Sequence, residues 1–235
     1  MSIQNKRILI VGGTSGFGAE VAREALAAGA HVHVIGHNTH RLTDFLATTS
    51  GITGSSLDAS NQQELTAFFQ RHADYQHVVS MLGGAFTGGF LDAPIADIRA
   101  AIEDKFFANL QLAQVVNGHI RAGGSLTLTS GSGGHPYDAS AAIIGNQAIN
   151  TLVAGLAVEM APQVRVNAVS PTWTPTGLWR DMSATQRQAQ ADAFAKQLPL
   201  GRVAKIEEVA GAYLYSMQSS FMTGQVLRID GGVNL

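Results

Sequence analysis

Arg7-Ile8-Leu9-Ile10-Val11-Gly12-Gly13-Thr14-Ser15-Gly16-Phe17-Gly18-Ala19-Glu20-Val21-Ala22-Arg23 passes from an apolar run, through a cluster of glycines, into a segment of helical period. Where a strand turns tightly into a helix, the first backbone N–H groups of the helix lack partners and face a common point, which suits an anion. Glycine lets the chain turn sharply there, lets the backbone approach a pyrophosphate, and lets the helix lie close on the strand. The stretch predicts a dinucleotide cradle in which Gly12, Thr14, Ser15, Gly16, Phe17 and Gly18 touch the ligand. A glycine-rich turn without a ligand has the same composition, so the reading rests on its position at the first strand-to-helix junction.

Outward from this unit the same alternation repeats. Apolar runs near Arg7–Val11, His31–Ile35, Gly54–Leu57, His77–Leu82, Ser125–Ser130, Val164–Val169 and Gln225–Ile229 are separated by segments of helical period. That pattern predicts an α/β chain, a single Rossmann-like doubly wound domain over residues 1–235, with a seven-stranded parallel sheet flanked by helices. One helix is expected from about Ile95 to Arg121, with Ile98, Ile102, Phe106 and Leu110 on one face. A second is expected from Ala141 to about Met160, with Ile144, Ala148, Leu152 and Leu156 on a face that meets the sheet or a partner subunit. The polar, Gln/Ala-rich stretch 174–198 is expected to form a lid.

Composition excludes several classes of function. The 235 residues are 46% hydrophobic with a net charge of -2, enough for a large core and without the basic stripe that nucleic acid requires. There is no cysteine, and the scattered histidines form no His-x-x-x-His pair beside a Glu, so no metal is expected. The N-terminal residues do not read as a signal peptide and no segment reads as a membrane span, so a cytoplasmic protein is expected.

The spacing Gly12-x-x-x-Gly16-x-Gly18 resembles the fingerprint of the short-chain dehydrogenase/reductase family, and further stretches resemble it in order. These are Asp58 after the third strand, Val78-Val79-Ser80-Met81-Leu82-Gly83 after the fourth, Arg165-Val166-Asn167-Ala168-Val169-Ser170-Pro171, Pro199-Leu200-Gly201-Arg202, and Thr223-Gly224-Gln225 with Asp230-Gly231-Gly232. The resemblance implies a nicotinamide cofactor, with Leu57 and Asp58 near the adenine, Leu82 and Gly83 along the dinucleotide, and Pro171, Thr174 and Thr176 near the carboxamide. An acid at the end of the second strand would bond a ribose 2′-hydroxyl and repel a 2′-phosphate. The chain has Gly36-His37-Asn38-Thr39-His40-Arg41 instead, and the family's NADP-selective members often carry Gly-Arg there. With His37 in that place and Asn38 and Arg41 nearby, NADP(H) is expected over NAD(H).

The family protonates its substrate with a Tyr and a Lys four residues later, supported by a Ser and an Asn. Four residues after Tyr75, Tyr137, Tyr213 and Tyr215 stand Val79, Ala141, Met217 and Ser219, so the pair is absent. By alignment with the family's long helix, Ala142 takes the Tyr position and Asn146 the Lys position, while Lys105 takes the Asn position. Either Lys105 returns the positive charge to the same cavity from another helix, or it snorkels to solvent or caps a neighbouring carbonyl. Ser130 stands near the family's Ser, with Thr129 and Ser132 as alternatives. Tyr137, in a turn before the long helix, is either a substrate contact or a packing residue. Met81, Phe86, Phe90, Trp173, Trp179 and Met182 are expected around a pocket for a small apolar substrate.

The expectation is an NADP(H)-dependent reductase of a carbonyl or enone with catalytic candidates Ser130, Tyr137, Lys105 and Asn146. The alternatives are an inactive nucleotide-binding sensor or scaffold, and a dehydratase, isomerase or cyclase on the same fold. The resemblance further implies a homodimer or homotetramer, with no nucleic acid or membrane partner.

Overall fold

A computed structural model describes residues 2–235. Its seven strands are β1 (Arg7–Val11), β2 (His31–Gly36), β3 (Thr53–Ser56), β4 (Tyr75–Ser80), β5 (Ile120–Thr129), β6 (Val164–Pro171) and β7 (Val226–Ile229). They pair in parallel in the order β3-β2-β1-β4-β5-β6-β7. The direction of travel across the sheet reverses after β3, so the crevice beyond the carboxyl ends of β1 and β4 is the topological switch point, where sheets of this kind bind ligands.

Period-two alternation explains the two layers of the core. Along β1, Leu9 and Val11 point into a cluster with Leu65, Phe68, Leu112, Ile149 and Val153. Ile8 and Ile10 point to the opposite cluster, with Val21, Ala22, Ala25, Val209 and Tyr213. Helices α3 (Gln62–Arg71), α5 (Ala108–Val116) and α6 (Ser140–Glu159) therefore cover one face. Helices α1 (Gly16–Ala27), α2 (Thr39–Thr48) and α8 (Ile206–Gln218) cover the other. The side chains of Ile8, Leu9, Ile10 and Val11 are fully or almost fully buried, at roughly 1.5–3 kcal/mol apiece.

Two helices differ from their sequence patterns. The segment expected as one helix to Arg121 is α4 (Ile95–Ile102), a π-helical turn (Glu103–Phe107) and then α5, ending at Val116. Gly118, at φ +94°, takes a conformation that other residues avoid, and Ile120 and Arg121 belong to β5. The π turn rotates the buried face. Ile98, Lys105, Ala108, Asn109, Leu112 and Val116 are buried, while Phe106 and Leu110 are only partly covered.

Along α6 the inward face is Gly145, Ile149, Val153 and Leu156, and Ile144 is exposed. By length and composition α6 is apolar enough to cross a membrane, contrary to the expectation from sequence. It instead lies on the sheet, with Ile149 and Val153 fully buried. β4 begins two residues before its apolar run and ends at Ser80. Met81 and Leu82 leave the ladder there, and Met81 retains one backbone bond, its N–H to Val11 O at 2.9 Å.

The stretch 174–198 holds a 3₁₀ turn (Gly177–Trp179) and α7 (Ala184–Ala195), the latter started by a capping box between Ser183 and Gln186. It is fastened to the end of β6 by Trp173, whose ring stacks on Trp179 and Phe194 at 5.7 Å in each case.

Candidate functional site

Glycine is dictated by contact in the β1–α1 turn. A Cβ on Gly18 would lie 2.3 Å from the carbonyl oxygen of Gly12, and one on Gly12, at φ +80°, would lie 2.9 Å from Met81 Cβ. The helix starts from extended Ser15, whose side chain makes no capping bond, so the amides of the first turn remain available to a ligand. Thr14 packs under Gly36, and Thr176 lies over Gly16, where a Cβ would sit 3.6 Å from Thr176 Cβ. The structure thus sets Gly12, Thr14, Ser15, Gly16, Phe17 and Gly18 on one tight turn with Thr176 close to Gly16, while Phe17 packs against the core, and the uncapped amides of this turn fit a diphosphate.

At the end of β2, His37 is exposed and Asn38 caps α2, its Oδ1 accepting from the N–H of Arg41 at 2.9 Å. Asn38 therefore has a structural task that its residue type announces. Asp58 accepts from the hydroxyl and amide of Ser60 at 2.7 and 2.9 Å. Those bonds, and more weakly the charge of His37, hold its carboxyl below its ordinary value. Leu57 joins the core and anchors the turn through its N–H to Gly36 O at 3.2 Å.

Two of the residues expected near the carboxamide, Thr174 and Pro171, are buried. Thr174 is buried with its hydroxyl on the carbonyl of Thr172 at 3.0 Å. Pro171 closes β6 opposite Ile229, and its carbonyl accepts from Ser132 N–H at 2.8 Å.

Beyond β4 lies a cavity of about 160 Å³, lined by Gly84, Ala85, Phe86, Ala101, Asp104, Lys105, Ala142 and Asn146. It unites the two exchanged positions, Lys105 from the π turn and Asn146 from α6, and Ala142 leaves open the space a larger residue would fill. Lys105 is 8% exposed. Its stem passes between Gly83 and Gly145, whose absent Cβ atoms would lie 2.3 Å from Lys105 Cδ and 2.9 Å from Lys105 Cγ. Burial alone pushes its amine down to about 8. The reading in which Lys105 snorkels to solvent is thereby corrected: an aliphatic stem between two glycines and a helix carries the amine into the cavity instead.

Ser130 and Tyr137 are not assembled with this pair as donors. Ser130 is buried, and its one proton is directed at α6, to Asn150 Oδ1 at 2.7 Å and Asn146 O at 3.1 Å. Tyr137 is 72% exposed, stacked on His135 at 5.0 Å, and is not among the residues lining the cavity. Of the expected apolar lining, Phe86 contributes; Phe90 is half exposed, and Trp173 and Trp179 are engaged in their stack.

The residue that sequence reasoning missed is Asn109. It is fully buried, and its Nδ2 donates to the carbonyl of Lys105 at 2.6 Å, while its Oδ1 accepts from Ser80 Oγ at 2.7 Å. In the π turn the bonding advances to i+5, as the Ala108 N–H to Glu103 O bond shows, and the Asn109 side chain takes up the carbonyl at the centre of the turn. The bracing continues through the sheet. Thr129 Oγ1 donates to Ser80 O at 2.6 Å, and the Tyr213 hydroxyl, 2.7 Å away, supplies the matching donor from α8. The one signal available was a polar residue at a position where the helical pattern demands an apolar one.

Comparison with known proteins agrees with the fold. A family model described as enoyl-(acyl carrier protein) reductase matches residues 11–234. Short-chain dehydrogenase/reductase ATR9 of Stachybotrys chlorohalonatus is 32% identical, over 100% of this chain and 99% of its own length. The solved structure of the MalC reductase/Diels-Alderase from Malbranchea aurantiaca superposes with a TM-score of 0.87 at 27% identity, covering 98% of this chain and 96% of that one. A Tyr→Phe variant of ElxO with NADPH bound has the same fold, with a TM-score of 0.88 at 21% identity, covering 98% and 99% of the two chains.

Proposed function

The chain belongs to the short-chain dehydrogenase/reductase family, and from that premise we propose that it is an NADP(H)-dependent oxidoreductase reducing the carbonyl or enone of a small, largely apolar substrate. The observation that carries the proposal is the buried Lys105, which lines a cavity with Asn146 beyond the carboxyl end of β4, one of the two strands at the switch point of the sheet. Bound nicotinamide supplies hydride in either direction. The residues that would hold the dinucleotide are the turn amides of Ser15 to Gly18, with Thr176 over the loop and Asp58 beyond β3. NADPH bound to ElxO, a protein of the same fold, supports the choice of cofactor class.

The chain's own chemistry is the handling of a developing negative charge on a substrate oxygen. Lys105, held near pKa 8 by burial, is mostly protonated at neutral pH and gives up a proton more readily than a free lysine. Asn146 lines the same cavity with an amide that donates and accepts. Ser130 positions α6 by bonding Asn146 O and Asn150. NADPH absorbance at 340 nm, followed with ketones, quinones and enones, tests the reading. NADPH binding without oxidation by any of them would reject it.

His37 supports the 2′-phosphate form, because it follows Gly36 at the end of β2 where no acid stands. His37→Asp is expected to shift the NADPH-to-NADH ratio of dissociation constants at least about tenfold toward NADH, since one unit charge changes sign of preference beside a phosphate. Titration of both nucleotides by fluorescence checks this, and an unchanged ratio would remove His37 from the phosphate site.

Apolar side chains left outside on the helices of this face, Ile95, Phe107 and Ile144, support a homo-oligomer. Light scattering is expected to give a dimer or tetramer, and a monomer at micromolar concentration would refute it.

A further inference from the structure

Lys105 differs from the chain's other three lysines, Lys6, Lys196 and Lys205, all of which are exposed. It is more than nine-tenths buried, no carboxylate among the described residues pairs with it, and it lines a cavity of about 160 Å³ with room for a small organic molecule. Its stem is fixed between Gly83 and Gly145, so the nitrogen is held in one place rather than swept through solvent. An amine so placed has two capabilities: protonated, it donates to an oxygen; neutral, it is a nucleophile with a free electron pair.

We propose that Lys105 is a Schiff-base site, capturing a small aldehyde, and best an α,β-unsaturated one, as an imine within this cavity. The inference rests on the cavity being the substrate site proposed above. In the first step the nitrogen pair forms the C–N bond, the carbonyl π electrons move to oxygen, and a proton passes from nitrogen to that oxygen. In the second step the C–O bond breaks, the oxygen leaves as water with a second proton from nitrogen, and the C=N bond forms; nothing is oxidised or reduced.

Asp104, the one other titratable group among the lining residues, is the side chain available to carry these protons, and the Asn146 amide can hydrogen-bond the oxygen as it develops charge. Protonated, the imine is a stronger electrophile than the parent carbonyl, and in a conjugated aldehyde that gain extends to the β carbon. Desolvation supports the chemistry by leaving about a tenth of the amine neutral at pH 7, against well under a hundredth for a free lysine.

The test uses the whole protein without nucleotide. Butanal and sodium cyanoborohydride at pH 7, followed by intact mass and peptide mapping, are expected to add one butyl group to the Lys105 peptide, at least about tenfold faster than to the peptides of Lys6, Lys196 or Lys205. Lys105→Arg keeps a positive charge but cannot form the imine, and is expected to lose that modification while retaining its melting curve. If Lys105→Arg does not fold, the relative labelling rates within the parent protein decide alone.

A second readout is the oxygen of an enal incubated with the protein in ¹⁸O water. Exchange is expected to accelerate over the buffer rate and to return to it in Lys105→Arg. Labelling of Lys105 no faster than of the exposed lysines overturns the inference. So does NADPH-dependent reduction of enals without trapping or exchange, in which case the reductase reading stands. Trapping and exchange in a protein that never oxidises NADPH support the Schiff-base site and reject the reductase reading.

Discussion

Lys105→Met will melt at a higher temperature than the parent protein at pH 7, will lose that advantage as the pH rises toward 10.5, and will be catalytically crippled throughout. The Lys105 amine sits near 8 in the folded chain, against an ordinary value of 10.5. Below pH 8 both the folded and unfolded chains carry the ammonium, and the folded chain bears the full cost of burying it. Between 8 and 10.5 the unfolded chain binds more protons than the folded one, so stability rises with pH and the cost fades.

At about 1.4 kcal/mol per pH unit of separation, the cost at neutral pH is up to about 3 kcal/mol. Methionine fills the slot between Gly83 and Gly145 with a stem of similar length and no charge. Other titrating groups are shared by the two proteins and cancel in the difference. Urea unfolding of both at pH 7, 8, 9 and 10 measures the gap, and a gap that does not change with pH would show that Lys105 is not buried as an ammonium. Loss of the positioned acid is expected to lower turnover by at least about a hundredfold. Stability and activity thus oppose one another at a single residue, as expected where a charge is held in a site for chemistry rather than for folding.

The contrast between Lys105 and the cradle shows what a sequence exposes. Gly12, Gly16 and Gly18 are legible because the turn, the following helix and the approach of Gly18 to Gly12 all lie within seven residues, although Gly12 also meets Met81 and Gly16 meets Thr176. The parallel, doubly wound character of the sheet was legible for the same reason, since each strand-helix unit is written contiguously and right-handed crossovers leave few topologies, while the strand order is read from the structure. Asn38 is ambiguous in sequence because a polar residue after a strand suits a ligand and a helix cap equally, and the structure shows its side chain capping through the N–H of Arg41 three residues on. Thr174 is ambiguous for a related reason, its hydroxyl bonding the Thr172 carbonyl two residues back.

The exchange of Lys and Asn between two helices was visible as a pattern, but its consequence was not. Whether Lys105 meets Asn146 depends on the rotation of the chain between Ile102 and Ala108, and a hydrophobic pattern read at 3.6 residues per turn contains no π turn. A regular helix from Ile95 onward would have placed Phe106 and Leu110 inward, as the periodicity suggests.

That rotation makes Asn109→Ala the most informative substitution away from the cavity. The alanine removes the donor to the Lys105 carbonyl and the acceptor for Ser80 Oγ, and both remaining groups lie in the protein interior. At roughly 1–3 kcal/mol for each stranded group, a loss of about 3–5 kcal/mol is expected in urea unfolding. Stability loss alone would not bear on the site, so the decisive measurement is made well below the melting temperature.

With the carbonyl released, the π turn loses the bond that fixes it, and Lys105 is expected to leave the slot between Gly83 and Gly145. Turnover of the folded variant should fall at least tenfold, in the range expected for misplacing an acid by about an ångström. The stability gain on adding Lys105→Met to this background should shrink as well, because the ammonium is no longer buried. In Asn109→Asp an ionised carboxylate would be buried with one oxygen against the Lys105 carbonyl, so this variant should lose more stability than alanine and recover no activity. Full turnover in folded Asn109→Ala would mean that the packing of Ala108 and Leu112 holds the turn without help, and that the polar brace across β4 and β5 serves the sheet alone.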